Sequence, residues 1–385
     1  MSGTVDSAMP SEDGERDENA LAGLQARPYA PGDEAGIVDL FLRCTDWPPY
    51  AISGTLLDHW KWKYLGNPLG SAMIAVVERH GRMFAHAAAL PARVRIGKEE
   101  YDASHGLDVF TDPEFRGLGM VKKVLALRDS LREGGGVVFD YAVPSDTLHY
   151  DFSIKFGHAH LDVGMTRYQF ISNPDTFFKR VRWGAVKGLL WKIHLFIRGG
   201  HHKGLRLGNP DVEAGEAQEF GEDVKEMFRK MSEHFDLYVV KNKAYLDWRY
   251  ADRRGGNYRI RVLRKEGKTA GYSVLKMEDQ KGGRYASIID MIVDWEVPSA
   301  AELLLLDAVE RAREESAISL IFWLPSDHPF AVPLRNVGFF EAPPQTEDDR
   351  IRFVYRDRSG REEVKRVLSS PETRYHLTLG DTDWA

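Results

Sequence analysis

Arg116, Gly117 and Gly119 stand between a strand-like run, DVFT from Asp108, and a helix-like run, VKKVLALRDSL from Val121. The first N–H groups of a helix have no intrahelical partner, and the aligned peptide dipoles leave partial positive charge there. Glycines at that junction let an anion reach the N–H groups without meeting a Cβ, and an arginine adds fixed charge. The chemistry on offer is capture of a phosphate or pyrophosphate. The plain alternative is a tight turn that holds nothing.

Such a junction needs a sheet on one side and a packed helix on the other. Val121, Val124, Leu125 and Leu131 recur at helical spacing and would face a core. Upstream, MIAVVERHGRMFAHAAALPARVRI alternates apolar and polar residues around a turn at His80-Gly81, as a hairpin does. Downstream, GVVFDYAV, SDTLHYDFSIKF and GMTRYQFI read as a strand, a short helix and a closing strand. With IVDLFLRC as an opening helix, this is a mixed α/β unit.

The unit occurs twice. PSDTLHYDFSIKFGH from Pro144 has a counterpart in PSDHPFAVPLRNVGF from Pro325, GLDVFTD ending at Asp112 in IIDMIVD ending at Asp294, and WKYLGNPLG from Trp62 in WRYADRRGG from Trp248. The landmarks keep one order in both halves, so the chain reads as two copies of one domain. In the second copy Pro298, Ser299 and Ala300 replace the arginine-glycine loop.

TDPEFRGLGM, followed at the right separation by VVFDYAVPSDTLHYDFSIKFGH, resembles the two conserved blocks of the GCN5-related N-acetyltransferase (GNAT) superfamily. Thr111-Asp112-Pro113 takes the strand end, Arg116 the first motif position and Gly119 the fourth, while Val121 stands where glycine or alanine is usual. The resemblance implies an α/β fold of two tandem GNAT-like domains, each a mixed, mostly antiparallel sheet flanked by helices, with a degenerate second copy. It implies acetyl-CoA or another acyl-CoA as co-substrate. Backbone of Val109, Phe110 and Thr111 would meet pantetheine and the acyl carbonyl. Arg116, Gly117, Leu118, Gly119, Met120 and Val121 would hold the pyrophosphate, with Ser145 in the polar turn of the second block as a further cofactor contact.

The same resemblance puts a base early on the strand before the loop. That slot is His105, a residue that titrates near neutrality. Asp108 is the other candidate, on the opposite strand face by period-two alternation. Each also has a structural reading, and Asp290 at the equivalent of Asp108 in a copy without the loop favours one for Asp108. The family's usual tyrosine acid is replaced by Ser153; Tyr150, one helical turn earlier, could substitute, and water could otherwise protonate the thiolate. Direct attack without an acyl-enzyme is expected, since Cys44, the single cysteine, is remote in sequence from the motif. No Cys/His cluster has zinc-ligand spacing, so no metal is expected.

At 385 residues two domains fit the usual size range. The net charge of −6 argues against a general nucleic-acid partner, and the N-terminus lacks a secretory pattern, so the expected setting is cytoplasmic. Residues 1–26 read as a disordered acidic tail, 27–173 as the first domain, 174–211 as a basic linker, 212–356 as the second domain and 357–385 as an extension. In the linker Phe178, Val181, Ala185, Leu189, Ile193 and Phe196 form a helical stripe among cations without an acid. Either this stripe packs on the two domains, or residues 177–198 lie at the anionic face of a membrane. Tyr375, Leu377 and Leu379 alternate as a strand would, and Asp381 and Asp383 read as a solvated end or as carboxylates for a cationic amine. The function implied is N-acyl, most simply N-acetyl, transfer to a primary amine of a small molecule such as an amino sugar or amino acid. The competing class is a non-catalytic CoA-binding protein or scaffold.

Overall fold

His80 and Gly81 turn the first hairpin with φ of 52° and 81°, left-handed values that suit a tight two-residue connection. The computed structural model describes residues 22–179, 183–207, 211–343, 346–347 and 350–383. Its strands are β1 (Gln25–Pro28), β2 (Met73–Arg79), β3 (Arg82–Ile96), β4 (Glu99–Thr111), β5 (Phe139–Ala142), β6 (Ala159–Leu161) and β7 (Met165–Ile171) in the first half. The second half has β8 (Val212–Ala217), β9 (Leu237–Val239), β10 (Tyr258–Lys265), β11 (Lys268–Gln280), β12 (Gly283–Val293), β13 (Ser319–Pro325), β14 (Phe340–Ala342), β15 (Phe353–Asp357) and β16 (Tyr375–His376). β1 begins within the stretch read as tail and pairs antiparallel with β2; residues 1–21 lie outside the described residues. The single opening helix expected before the hairpin is two, Glu34–Cys44 and Leu56–Leu65, the second started by a Thr55/Asp58 capping box.

Two sheets form, and they exchange their closing strands. One runs β1-β2-β3-β4-β5-β15-β6 and the other β14-β7-β13-β12-β11-β10-β8. β7, expected to close the first sheet, pairs with β13 and β14 of the second, while β15 inserts between β5 and β6 of the first. Ion pairs at and just after β15 fasten it in place: half-buried Arg356 reaches Asp129 at 2.7 Å, and Arg358 reaches the buried Asp140 at 3.3 Å. Asp140 also takes Arg132 of the helix Met120–Gly134 at 3.1 Å. Of the face its spacing predicts, that helix buries Val124 and Leu125 and half-buries Val121 and Leu131; it also buries Met120 and, unexpectedly, Arg128 and Arg132, which pair with Asp129.

The copies meet across a local pseudo-twofold axis. Trp62 and Trp248 stack at 5.1 Å between ring centroids, and each indole N–H donates to the other's carbonyl, at 2.7 and 2.9 Å. β9 of the second copy adds to the free edge of β3, and β16 pairs parallel to β9. The terminal alternation gives strand pairing at Tyr375 and His376, after which Leu379–Asp381 is a 3₁₀ turn. Both copies contribute to one continuous core, so the pair is a single packed body.

Candidate functional site

β4 and β5 pair in parallel from Ala103 with Phe139 to His105 with Tyr141, and there the pairing stops. Beyond His105 the strands part, and among the described residues no strand fills the β5 side of Gly106–Thr111. The helix Met120–Gly134 starts after the end of β4. Its N-cap, Gly119, and Gly117 have φ of 75° and 86°, left-handed values at which a Cβ is strained. A Cβ built on either would have nothing within 4 Å, so the space above these N–H groups is open. Arg116 is exposed beside it. The residues would fit the pyrophosphate of an acyl-CoA.

The neighbouring side chains divide between the two faces of the sheet. Met120 is buried with Val124 and Leu125, so it can present only backbone to a ligand, and Val109 and Val121 pack partly on the same cluster. Phe110 points to the other face against Phe41, at 4.6 Å. The Thr111 carbonyl accepts from Cys44 Sγ at 3.4 Å. Burial pushes that thiol pKa up although Arg116 draws it down, which makes it a poor nucleophile. Ser145 hydrogen-bonds Asp146 at 3.1 Å. The second copy caps its helix Ala300–Glu314 with left-handed Ser299 at φ 59°, the same backbone shape with a side chain and without the arginine.

Asp108 departs from the alternation. It sits at φ 47° in a β-bulge, where β4 shifts register between the partners of His86 and Ala88. The extra residue turns Asp108 toward the helix Leu56–Leu65, where its carboxylate receives Lys63 Nζ at 2.6 Å and the Tyr64 hydroxyl. Asp108 and His105 therefore meet on one face around Lys63, contrary to the period-two expectation. Burial alone would lower the Lys63 pKa, but Asp108 and Asp383 raise it and keep the ammonium charged. Asp383 approaches Lys63 at 3.4 Å.

The second copy repeats this arrangement. Asp290 takes Lys241 at 2.7 Å and the Tyr250 hydroxyl at 3.1 Å, and Asp381 joins Lys241 at 2.9 Å. The C-terminal segment thus lays one carboxylate on each copy's lysine, and Asp381 and Asp383 are not a solvated end. A buried ion pair that loses one partner leaves an uncompensated charge, which costs about 3–5 kcal/mol. Lys63→Met is accordingly expected to lower the urea midpoint by that much stability, with acyl-CoA affinity changed far less. A loss under about 1 kcal/mol would contradict the ion-pair account.

His105 is buried and stacks on Tyr141 at 4.6 Å and 10°. Burial, reinforced by Lys63 and Arg249, drives its pKa down to about 3, so the imidazole is neutral at pH 7. With Lys63, Tyr245, Arg249, Asp381 and Asp383 it lines a cavity of about 20 Å³, room for one water. Tyr150 does not join this group; its ring packs edge-on to His160 and beneath Arg352. Ser153, in the family's tyrosine position, donates to the His149 carbonyl at 2.9 Å. Lys63, Tyr64 and Arg249 were not legible as site residues, although they are the central and third residues of the repeated WKY and WRY. Among the described residues no group of side chains could hold a metal ion.

Open strands beside a glycine-capped helix, duplicated with the loop kept once, define a tandem acetyltransferase-type fold. Residues 25–160 match the family described as acetyltransferase (GNAT) domain. This segment matches a GNAT domain, and the chain as a whole has the fold of tandem GNAT proteins. A probable N-acyltransferase from Enterococcus faecalis V583 is similar in structure, with TM-score 0.59 and 13% identity over 89% of this chain and 73% of that one. A tandem GNAT protein from the clavulanic acid biosynthesis pathway has TM-score 0.51 and 15% identity over 88% and 100%. Saccharomyces cerevisiae N-myristoyltransferase with bound myristoyl-CoA has TM-score 0.54 and 10% identity over 92% and 81%. No curated protein matches the sequence.

Proposed function

We propose that the protein transfers an acyl group, in the simplest case acetyl, from CoA to a primary amine of a small polar molecule by direct attack. The observation that carries this reading is the unobstructed, left-handed Gly117/Gly119 junction at the mouth of the β4/β5 opening. Pantetheine would pair with the free edge of Val109–Thr111 as an added strand does. The amine arrives protonated, and a water seated in the small cavity beside His105 would carry its proton away toward Asp383. His105, neutral and too weakly basic to hold that proton, would orient the water. The leaving thiolate has a modest proton affinity and needs no dedicated acid.

The acceptor would enter by a groove of about 1210 Å³ between Asp46–Ala51 of the first copy and β10 and β11 of the second. Its wall residue Tyr50 lies under Lys276 Nζ, 4.3 Å from the ring centroid, and burial pushes its pKa up to about 12 against the opposing pull of Lys63 and Arg249. Charged side chains line the groove, Arg259, Glu278 and Glu315 among them, which suits an amino sugar or amino acid rather than an apolar amine. A CoA-binding protein without transfer activity is the second reading, favoured by the missing tyrosine at Ser153.

Acetyl-CoA mixed with a panel of amino sugars and amino acids is expected to release free CoA thiol well above the hydrolysis background for at least one acceptor. His105→Gln should lower that rate at least tenfold while leaving acetyl-CoA affinity within about threefold. Binding without thiol release across the panel would establish the second reading.

A further inference from the structure

The helix Gly184–Leu207 buries one face only. Gly188 is buried, Trp191 Nε1 donates to the Ile171 carbonyl of β7 at 3.0 Å, and Leu195 and Leu205 pack on the core of the second copy. The opposite face is apolar and open: Val186, Leu189, Leu190, Ile193, Phe196 and Ile197 are 47 to 85% exposed. With Trp183, these are seven of the twelve exposed large apolar side chains among the described residues. At about 100° per residue the six span roughly 120° of the helix circumference. The stripe expected from sequence to pack on the domains is thus turned to the outside at Leu189, Ile193 and Phe196; its member Val181 lies outside the described residues.

Charge flanks this face. Lys187 lies on one border, and Lys192 and Lys203 on the other. Between Asp175 and Asp211 the sequence holds eight lysines and arginines and no carboxylate, against −6 for the whole chain. Lys192 bonds Asp175 at 2.7 Å. No helix among the described residues is long and apolar enough to cross a membrane. An apolar face bordered by cations, with tryptophan at its start, fits the boundary between headgroups and acyl chains of an anionic bilayer. A second copy of the chain would set two cationic borders against each other, which disfavours self-association through this face.

We infer that this helix seats the protein on an anionic lipid surface, lying in the plane of the interface. The full chain is expected to float with vesicles of phosphatidylcholine and phosphatidylglycerol at low salt, and to float at least tenfold less with phosphatidylcholine alone. Because the six side chains are exposed, Leu190→Glu/Ile193→Glu/Ile197→Glu should keep the far-ultraviolet circular dichroism and melting of the parent while losing flotation at least tenfold. Lys187→Glu/Lys203→Glu should lose the preference for anionic vesicles. Flotation of the triple variant equal to the parent overturns the inference, as does failure of the parent to float. So does a concentration-dependent dimer by light scattering that the triple variant abolishes in the absence of flotation.

Discussion

Acidification from pH 7 to pH 5 is expected to unfold this protein, or to bring it close to unfolding. Burial holds the pKa of His59 and His86 at about 4, His105 at about 3 and His376 at about 4. His328, hydrogen-bonded to His376 at 3.0 Å, is likewise lowered by burial and by its neighbour. All five folded values lie below the ordinary histidine value of 6.5. The unfolded chain therefore binds protons that the folded chain refuses as pH falls through 6.5, and stability drops until the folded values are reached. Each of the four groups His59, His86, His105 and His376 loses about 1.4 kcal/mol per pH unit in that window, hence about 2 kcal/mol at pH 5. Four such losses together match a typical total stability of about 5–15 kcal/mol. Carboxylates paired with cations, such as Asp129 lowered to about 2 against burial by Arg132 and Arg128, act only at lower pH. Urea midpoints at pH 7, 6 and 5 should fall steeply and in order, whereas a midpoint unchanged at pH 5 would mean that these imidazoles are not buried as described.

Gly119→Trp is expected to weaken acetyl-CoA binding at least a hundredfold. The substitution fills the open space over the helix N-terminus and forces a bulky residue to φ 75°. Strain at one exposed loop position costs about 1–3 kcal/mol, too little to unfold a chain of this size, so the loss is to be read in affinity with the melting curve as control. Arg116→Glu should cost one charge-assisted contact, about 1.5–3 kcal/mol, or roughly ten- to a hundredfold. Ser299→Trp supplies the matched control, because Ser299 has the same left-handed cap on the equivalent helix. Acetyl-CoA affinity measured for the three variants should fall for the first two and hold for the third. An equal loss from Ser299→Trp would place the ligand elsewhere.

What could be read from sequence is what depends on local chemistry. The Arg116–Gly119 junction needs glycine for reasons confined to a few residues, and the repeat of Trp62 and Trp248 is visible as a word. The exchange of β7 and β15 was not legible, because both copies end in a similar closing strand and alternation does not say which sheet receives it. The alternation at Asp108 failed because a non-glycine residue at positive φ gives no compositional sign of a bulge. The burial of Arg128 and Arg132 has no sign in the helical spacing, because it depends on pairing with Asp129 and with the buried Asp140 of β5. Neither sequence reading of the tail carboxylates, a solvated end or a site for a cationic amine, included their actual partners Lys63 and Lys241, which are far away in sequence. Long-range pairing of charges, rather than any local pattern, is what the polar cluster is made of.

The central claim is a single acyl-CoA site, built by the first copy and absent from the second. Calorimetric titration of the full chain with acetyl-CoA measures it directly. One molecule bound per chain, with the heat abolished by Gly119→Trp and retained by Ser299→Trp, is the expected result; two bound per chain, or no heat from the intact protein, would contradict it.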